Sequence, residues 1–388
     1  MPETLTPPTA ELATRERYAA AAHKPEAALC CPVNYDPQYL KIIPSEVIEK
    51  DYGCGDPSKH LHPGETVLDL GSGTGKICFI ASQVVGATGK VIGVDMTDDM
   101  LEVAKRNAPI VAERIGYANV EFRKGRIQDL ALDLEVLEIE LKTHPVTDAN
   151  SFLALDSIAA KLRQTKPLVA TESVDVVVSN CVLNLVETSL KRQLFNEIFR
   201  VLKRGGRAVI SDIVSDEAIP QHLQDNAYLW SGCISGAYTE EGFLKAFVDS
   251  GFHGIEILKR DDAPWQTVEG IEFRSVTVQA WKGKQGPCFE HNQAVIYKGP
   301  FLKVLDDDGH AMERGKRYAV CDKTFNLYKQ QPYREHFAHI EPRVPITPDD
   351  AQPFDCSAST LRHPKHTKGQ DYNATTEAAN CREGGDCC

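Results

Sequence analysis

Basic charge is in short supply in this chain. Its 43 lysines and arginines face 55 aspartates and glutamates, for a formal net charge of −12. A nucleic-acid partner needs a positive face, so none is expected. Long apolar runs are also missing: no stretch approaches the roughly 20 residues that a membrane helix needs, and no membrane partner is expected. The segment Met1–Arg17 is polar and carries Pro7 and Pro8, where a secretory signal would have an apolar core. The expected location is therefore cytoplasmic, where thiols stay reduced. There is no internal repeat of fixed period. Neither a Ser-His-Asp set nor a pair of catalytic carboxylates stands out.

What the chain does have is twelve cysteines. Thiols in a reducing compartment point to metal or metalloid binding, catalysis or redox chemistry, although buried cysteines also serve as small hydrophobes. With 388 residues, 42% of them hydrophobic, the chain is long enough for two or three domains. From Thr66 onward, strand and helix patterns alternate. Strands are predicted at 66–70, 91–95, 120–124, 174–179 and 207–213, and helices at 74–85, 97–115 and 189–203. The last helix is read as ending at Lys203-Arg204-Gly205-Gly206, basic residues followed by glycine. Such alternation predicts an α/β fold with a doubly wound, mostly parallel sheet.

The remaining segments divide as follows. Residues 1–29 read as a mobile N-terminus. Residues 30–212 carry an N-terminal thiol segment and the sheet, with 131–170 as an insertion on its rim. Residues 213–285 form a subdomain of α+β character with helices at 219–230 and 239–250, a loop at 230–237, and strands at 255–259 and 271–281. A small β-rich domain follows at 286–345, with strands Ala294–Tyr297 and Tyr318–Cys321. The chain beyond Pro342 is rich in Pro, Ser and Thr. The segment 346–388, which carries Cys356, Cys381, Cys387 and Cys388, reads as a disordered tail.

Val67-Leu68-Asp69-Leu70 runs into Gly71-Ser72-Gly73-Thr74-Gly75, a strand into a turn without Cβ atoms at its glycines, where a ligand can approach the backbone. The spacing is GxGxG and not the GxGxxG of dinucleotide binders. S-adenosylmethionine has no pyrophosphate to cradle, and it fits this turn. Asp69 at the strand tip can face the sulfonium, and Asp95, closing the second strand next to Met96, can take the ribose hydroxyls. In Lys124-Gly125-Arg126-Ile127-Gln128, Ile127 can cover the adenine face and Gln128 can reach its amine; many small-molecule methyltransferases have an aspartate where Arg126 stands. Asn180, at the end of the fourth strand, completes the cofactor set.

The next residue is Cys181, in Val178-Ser179-Asn180-Cys181-Val182-Leu183-Asn184-Leu185, emerging beside the glycine turn at the carboxyl end of the sheet. A thiol presented to a methyl donor suits a soft acceptor. Trivalent arsenic and antimony take three thiolates and keep a lone pair on the open face, so transfer needs orientation and no general base. Together the motifs Cys-Cys-Pro-Val at 30–33, Tyr-Gly-Cys-Gly at 52–55, the glycine turn, the Cys181 segment and Gly-Cys-Ile-Ser-Gly-Ala at 232–237 resemble the arsenite S-adenosylmethionine methyltransferases over residues 30 to 285, and more weakly to 340.

The resemblance implies the class I methyltransferase fold, with 213–285 as a metalloid-binding subdomain. It also implies arsenic bound by Cys54, Cys181 and Cys233, and a disulfide during turnover between Cys54 and either Cys30 or Cys31. Cys31 is favoured because Pro32 fixes the chain after it. The implied substrate is arsenite or its glutathione conjugates. The implied co-substrate is a glutathione or thioredoxin reductant, no metal cofactor is called for, and the chain is taken as a monomer. Cys78 is read equally as a packing residue or a member of the relay. Cys288, Cys321 and Cys356 have no partner pattern and read as structural or incidental. Cys54 with His60 and His62 could suggest zinc, but the spacing matches no common zinc pattern. Two other functions remain open: a methyltransferase of the same fold acting on a carbon acceptor such as a quinone or sterol, and a non-catalytic thiol-rich protein that binds metalloids or senses redox state.

Overall fold

The computed structural model describes residues 10–26, 29, 33–50 and 52–376, and the chain divides into two units, Met1–Gly283 and Lys284–Cys388. In the first unit, strands β1 (Thr66–Leu70), β2 (Lys90–Asp95), β3 (Val120–Lys124), β4 (Val174–Asn180) and β5 (Leu202–Ser215) lie parallel, in the order β3-β2-β1-β4-β5. The short β6 (Tyr238–Thr239) pairs with the end of β5. Then β7 (His253–Arg260), β8 (Gln266–Val268) and β9 (Ile271–Trp281) extend the sheet antiparallel, β9 lying between β5 and β7. The segment 213–285 thus adds its strands to the same sheet.

Side chains alternate across the pleat and so supply two cores. Leu68, Leu70, Val177 and Ile210 face one side, which Leu194, Phe195, Phe243 and Phe247 cover; Val67, Val91, Val176 and Val209 face the other, covered by Ile77, Ile80, Leu101 and Val103. The helices of this unit are α1 (Ala10–His23), α2 (Pro37–Leu40), α3 (Ser45–Glu49), α4 (Lys76–Val85), α5 (Asp98–Ile115), α6 (Leu134–Thr143), α7 (Ala149–Thr165), α8 (Lys191–Val201), α9 (Gln221–Gln224), α10 (Ala227–Ser231) and α11 (Glu240–Asp249). The insertion forms α6 and α7 between β3 and β4, packed together through Leu132, Ala159 and Leu162 and joined to the loop after β3 by the Arg163–Asp129 ion pair.

Three local expectations give way. Helix α8 stops at Val201 because Leu202 passes directly into β5 and pairs with Val174; the strand therefore begins five residues ahead of 207, and Gly205 lies within it. The helix predicted at 219–230 is two helices, because the Asn226 side chain accepts the Tyr228 and Leu229 N–H groups and starts a new one. Residues 10–23, expected to be mobile, form α1. Its Arg17 pairs with Glu26, donates to the Tyr228 carbonyl and to Ser231, and lies over the Tyr228 ring, while Tyr52 donates to the Ala21 carbonyl. A few long-range contacts fix this helix, and its alanine-rich composition does not announce them.

The second unit has its own core of Val295, Tyr297, Met312, Tyr318, Phe325, Tyr328 and Phe337. Its strands are β10 (Phe289–Glu290), β11 (Ala294–Tyr297), β12 (Lys303–Leu305), β13 (Ala311–Glu313), β14 (Arg317–Ala319), β15 (Phe337–Ile340), β16 (Gln352–Pro353) and β17 (Thr360–Leu361), with helices α12 (Asp322–Tyr328) and α13 (Pro364–Lys368). The antiparallel sheet runs β15-β11-β14-β17, and β10 pairs with β16. Residues 343–376 therefore carry strands and a helix where the composition predicted disorder. Arg362 anchors them, with both Glu290 carboxylate oxygens 2.7 Å from its guanidinium. Cys381, Cys387 and Cys388 lie outside the described residues, as do Cys30 and Cys31.

Candidate active site

The carboxyl ends of β1, β2 and β4 open into a cleft of about 980 Å³, where doubly wound sheets take their ligands. Asp69, Gly71, Ser72, Gly73, Asp95, Met96, Ile127, Gln128, Asn180 and Cys181 all line it. Gly71 and Gly73 have φ of 70° and 51°. A Cβ at Gly71 would lie 2.4 Å from Val182, whereas one at Gly73 would meet nothing within 4 Å, so Gly73 is the residue whose backbone is open to a ligand. Gly75 is the exception among the predicted cofactor residues. It caps α4, and a Cβ there would strike Phe122 at 2.7 Å, so its work is packing helix on sheet and not lining the cleft.

The cleft suits an amino-acid-bearing, cationic nucleoside. The Asp95 carboxylate accepts the Gly73 and Thr97 N–H groups at 2.9 and 2.8 Å and keeps lone pairs for ribose hydroxyls. Burial raises its pKa despite those bonds. Cys78 donates to Asp69 at 3.2 Å, and burial followed by the Asp69 charge pushes that thiol well up. The hydroxyls of Ser72 and Thr14 line the cleft, buried with no hydrogen-bond partner among the described residues. Buried polar atoms left unsatisfied are costly, and a ligand's amino and carboxylate groups would satisfy them. Glu11, Thr14 and Tyr18 bring α1 to the cleft, and Arg126 pairs with Glu11 at 2.6 Å.

The thiols gather beside it. Cys54, Cys181 and Cys233 are each under 5% exposed and share one cluster with Leu185, Ile213 and Phe273. The Cys54 and Cys181 sulfurs and an Asp212 carboxylate oxygen all lie within 4.8 Å of one another. Among the described residues no such cluster joins Cys54 to His60 and His62. The Cys233 sulfur approaches the Cys181 carbonyl at 3.2 Å. Cys181 and Cys233 both have φ near +60°, 64° and 63°, a strained left-handed conformation of the kind that concentrates at functional sites.

Two asparagines flanking Cys181 hold the other thiols' loops. Asn180 Oδ1 accepts the Cys54 and Gly55 N–H groups at 2.9 and 3.0 Å, and its Nδ2 donates to the Gly55 carbonyl and to Tyr35. All four hydrogen-bonding positions of that amide are used. Asn180 therefore lines the cleft, as the sequence reading expected of a cofactor residue, and its side chain also holds the Cys54 loop. Asn184 donates to the Ile213 and Cys233 carbonyls at 2.6 and 3.4 Å, and Trp230 donates to the Leu185 carbonyl. Lys191, buried beneath the Tyr238 ring, donates to the Gly236 carbonyl and closes the second loop.

Several functional groups escaped the sequence reading. Burial pushes the Asp212 carboxyl up to about 6, against its hydrogen bond from the Ile213 N–H and the nearby Lys191 charge. Burial brings Lys191 down to about 8 despite Asp212. The Asp212 signal was available: one acid inside Val209-Ile210-Ser211-Asp212-Ile213-Val214. Tyr18, raised well above its ordinary value by burial and then by Cys233 and Cys181, gave no signal, since a helix 160 or more residues away in sequence delivers it.

A methyltransferase-domain family model matches residues 61–251, and a model described as a domain of unknown function matches 284–372. An arsenite methyltransferase from Aquipseudomonas alcaligenes is 32% identical over 331 residues, 81% of this chain and 85% of that protein. The human arsenite methyltransferase is 34% identical over 311 residues, 77% of this chain and 73% of that protein. Among solved structures, an arsenic(III) S-adenosylmethionine methyltransferase from Chlamydomonas reinhardtii aligns with a TM-score of 0.53 at 27% identity, covering 85% of this chain and all of that one. With identity of that extent over most of its length, the chain belongs to the arsenite methyltransferase family.

Proposed function

We propose that this protein methylates trivalent arsenic held by Cys54, Cys181 and Cys233, with S-adenosylmethionine as the donor. One observation carries the reading: two cysteine sulfurs from separate segments converge within 4.8 Å, and one of them, Cys181, also lines the cleft with Asp69 and Asp95. When bound, S-adenosylmethionine supplies a methyl group on a sulfonium. The chain's own residues do the rest. Asp69 would face the cationic sulfur, Asp95 and the Gly73 backbone would hold the nucleoside and amino-acid ends, and Ile127 would cover the base. Arsenous acid exchanges its three hydroxyls for three sulfurs and releases three waters. The protein then fixes the arsenic lone pair toward the cleft, and orientation of this kind is worth several kcal/mol. Asp212, beside the Cys54 and Cys181 sulfurs, is placed to take a thiol proton as arsenic enters.

The electron route is part of the same proposal. A methyl cation on the lone pair leaves arsenic formally pentavalent; the thiolate of Cys31 or Cys30, its proton lost, attacks the Cys54 sulfur, the As–S bond breaks with its electron pair left on arsenic, and a disulfide forms, so that the product leaves trivalent. Glutathione or a thioredoxin system then restores the thiols. The cytoplasm is where such a reductant acts, and the proposal takes the chain as a monomer. The test is to incubate the protein with methyl-labelled cofactor, arsenite and glutathione and to separate the arsenic species. Methylarsenite and dimethylarsenite are expected, and both are expected to disappear with Cys181→Ser. Label transferred to a quinone or sterol and indifferent to Cys181→Ser would replace this reading with a carbon acceptor. Arsenite bound without cofactor turnover would leave a binding protein.

A further inference from the structure

The second unit contains a thiol cluster of its own. Cys288 precedes β10, Cys321 caps α12, and Cys356 follows β16, three segments spread over 68 residues of sequence. Their sulfurs nonetheless lie within 4.8 Å of one another, and all three are present as thiols. The pairing of β10 with β16 sets Phe289 against Pro353, the Phe354 N–H donates to the Cys288 carbonyl at 2.9 Å, and the Phe289 N–H donates to Asp322, the residue after Cys321. The ladder and the helix cap thus draw the three cysteines together. The sequence reads them as structural or incidental for want of a partner pattern; the fold, and not their spacing, supplies the partners.

We propose that Cys288, Cys321 and Cys356 form a second three-sulfur site, one that binds trivalent arsenic, or its congener antimony, without methylating it. Soft trivalent ions take three thiolates and no more, whereas structural zinc is almost always four-coordinate. The nearby imidazole does not supply a fourth ligand: His310 bonds the Cys356 carbonyl through Nε2 at 3.0 Å and Asp306 through Nδ1 at 2.9 Å. Cys321 is buried, while Cys288 and Cys356 are half-buried, so a small hydroxide can reach the set. Binding is balanced without a redox step. Arsenous acid loses three hydroxyls, each leaving as water with a thiol proton, and three As–S bonds form. The choice of arsenic over other soft ions rests on the function proposed above, but the cluster does not.

The test uses the full chain, reduced, with Cys54, Cys181 and Cys233 all replaced by serine, so that failure of the first site cannot decide the result. After arsenite treatment and desalting, the intact mass is expected to rise by one arsenic less three hydrogens. X-ray absorption is expected to show three sulfur neighbours, and adding Cys288→Ser and Cys356→Ser is expected to abolish binding. In the unsubstituted chain, arsenite is expected to shield Cys288, Cys321 and Cys356 together from alkylation, a readout that needs no variant to fold. The proposal is overturned by no arsenic on the first variant, by arsenic retained after the two further substitutions, by no shielding, or by a co-purifying zinc that arsenite does not displace.

Discussion

Asn180 and Asn184 stand on either side of Cys181, and each ties one of the other thiol loops to the strand that presents it. Asn180→Ala leaves the Cys54 and Gly55 N–H groups without their acceptor, a loss of about 1–3 kcal/mol for buried donors. Thermal unfolding is expected to fall accordingly, and KM for arsenite to rise at least about tenfold, since about 1.4 kcal/mol is a factor of ten. Cofactor affinity by calorimetry is expected to hold. The reverse pattern, lost cofactor affinity with arsenite KM unchanged, would make Asn180 a cofactor contact and not a support of the Cys54 loop. Cys54→Ser tests the sulfur count. Arsenite needs all three thiolates, whereas methylarsenite already has one valence filled, so methylation of arsenite is expected to suffer more than methylation of methylarsenite; equal losses would refute it. At this scale the sequence was readable wherever a site residue sat inside a contiguous motif. The glycine turn, Asp69, Asp95 and the three cysteines all lie at the cleft or beside it. Asp212 carried a signal, a lone acid in an apolar strand, but Tyr18 and Thr14 were not readable, because only the tertiary fold brings them there.

At the scale of elements, α1 ties the amino-terminal segment to the site. It contributes Glu11, Thr14 and Tyr18 to the cleft, and its anchor is Arg17, whose guanidinium joins Glu26, Tyr228 and Ser231. Arg17→Ala is expected to speed hydrogen exchange across 10–23 and to weaken cofactor binding by about tenfold, in line with losing a part-buried charged hydrogen-bond set. Faster exchange with unchanged affinity would detach the helix from the site. A second tie joins α3 to α5: Glu46 accepts from Arg106 and Asn107 at 2.5 and 2.8 Å, and those bonds hold its carboxyl down to about 2. A lowered folded-state pKa means stability that is present above the unfolded value and lost as pH falls through the folded one. Glu46→Gln is therefore expected to cost up to about 1 kcal/mol at pH 7, discounted because the group is partly exposed. That difference is expected to shrink between pH 4.5 and 2, read by denaturant unfolding at each pH. The strands of the sheet were legible because both faces of a central parallel strand are apolar, as in Val176-Val177-Val178. The break between α9 and α10 was not, since Asn226 interrupts a run whose apolar spacing continues through it.

At the scale of the whole molecule, the chain carries separate hydrophobic cores on either side of residue 283. The central sheet buries Leu68, Val177, Phe195 and Phe247, while the second unit buries Tyr297, Phe325, Tyr328 and Phe337. Each unit also completes its own backbone pairing: β7 and β9 finish the first sheet by residue 281, and β11 gathers β14 and β15 into the second. A domain with its own core and its own ladders is able to fold alone. Residues 284–388 number about 100, enough to bury the majority of the surface that their unfolded chain exposes. Calorimetry of the full chain is therefore expected to resolve two transitions. The chain ending at Gly283 is expected to keep the cofactor cleft and the Cys54, Cys181 and Cys233 cluster, and hence to keep methylating arsenite. Residues 284–388 expressed alone are expected to unfold cooperatively in denaturant. Saturating cofactor stabilises only the state that binds it, so it is expected to raise the transition of the first unit and leave the second where it was. A single transition that moves as one with cofactor would mean that the two cores fold as one cooperative system, and the boundary at 283 would then divide geometry without dividing stability.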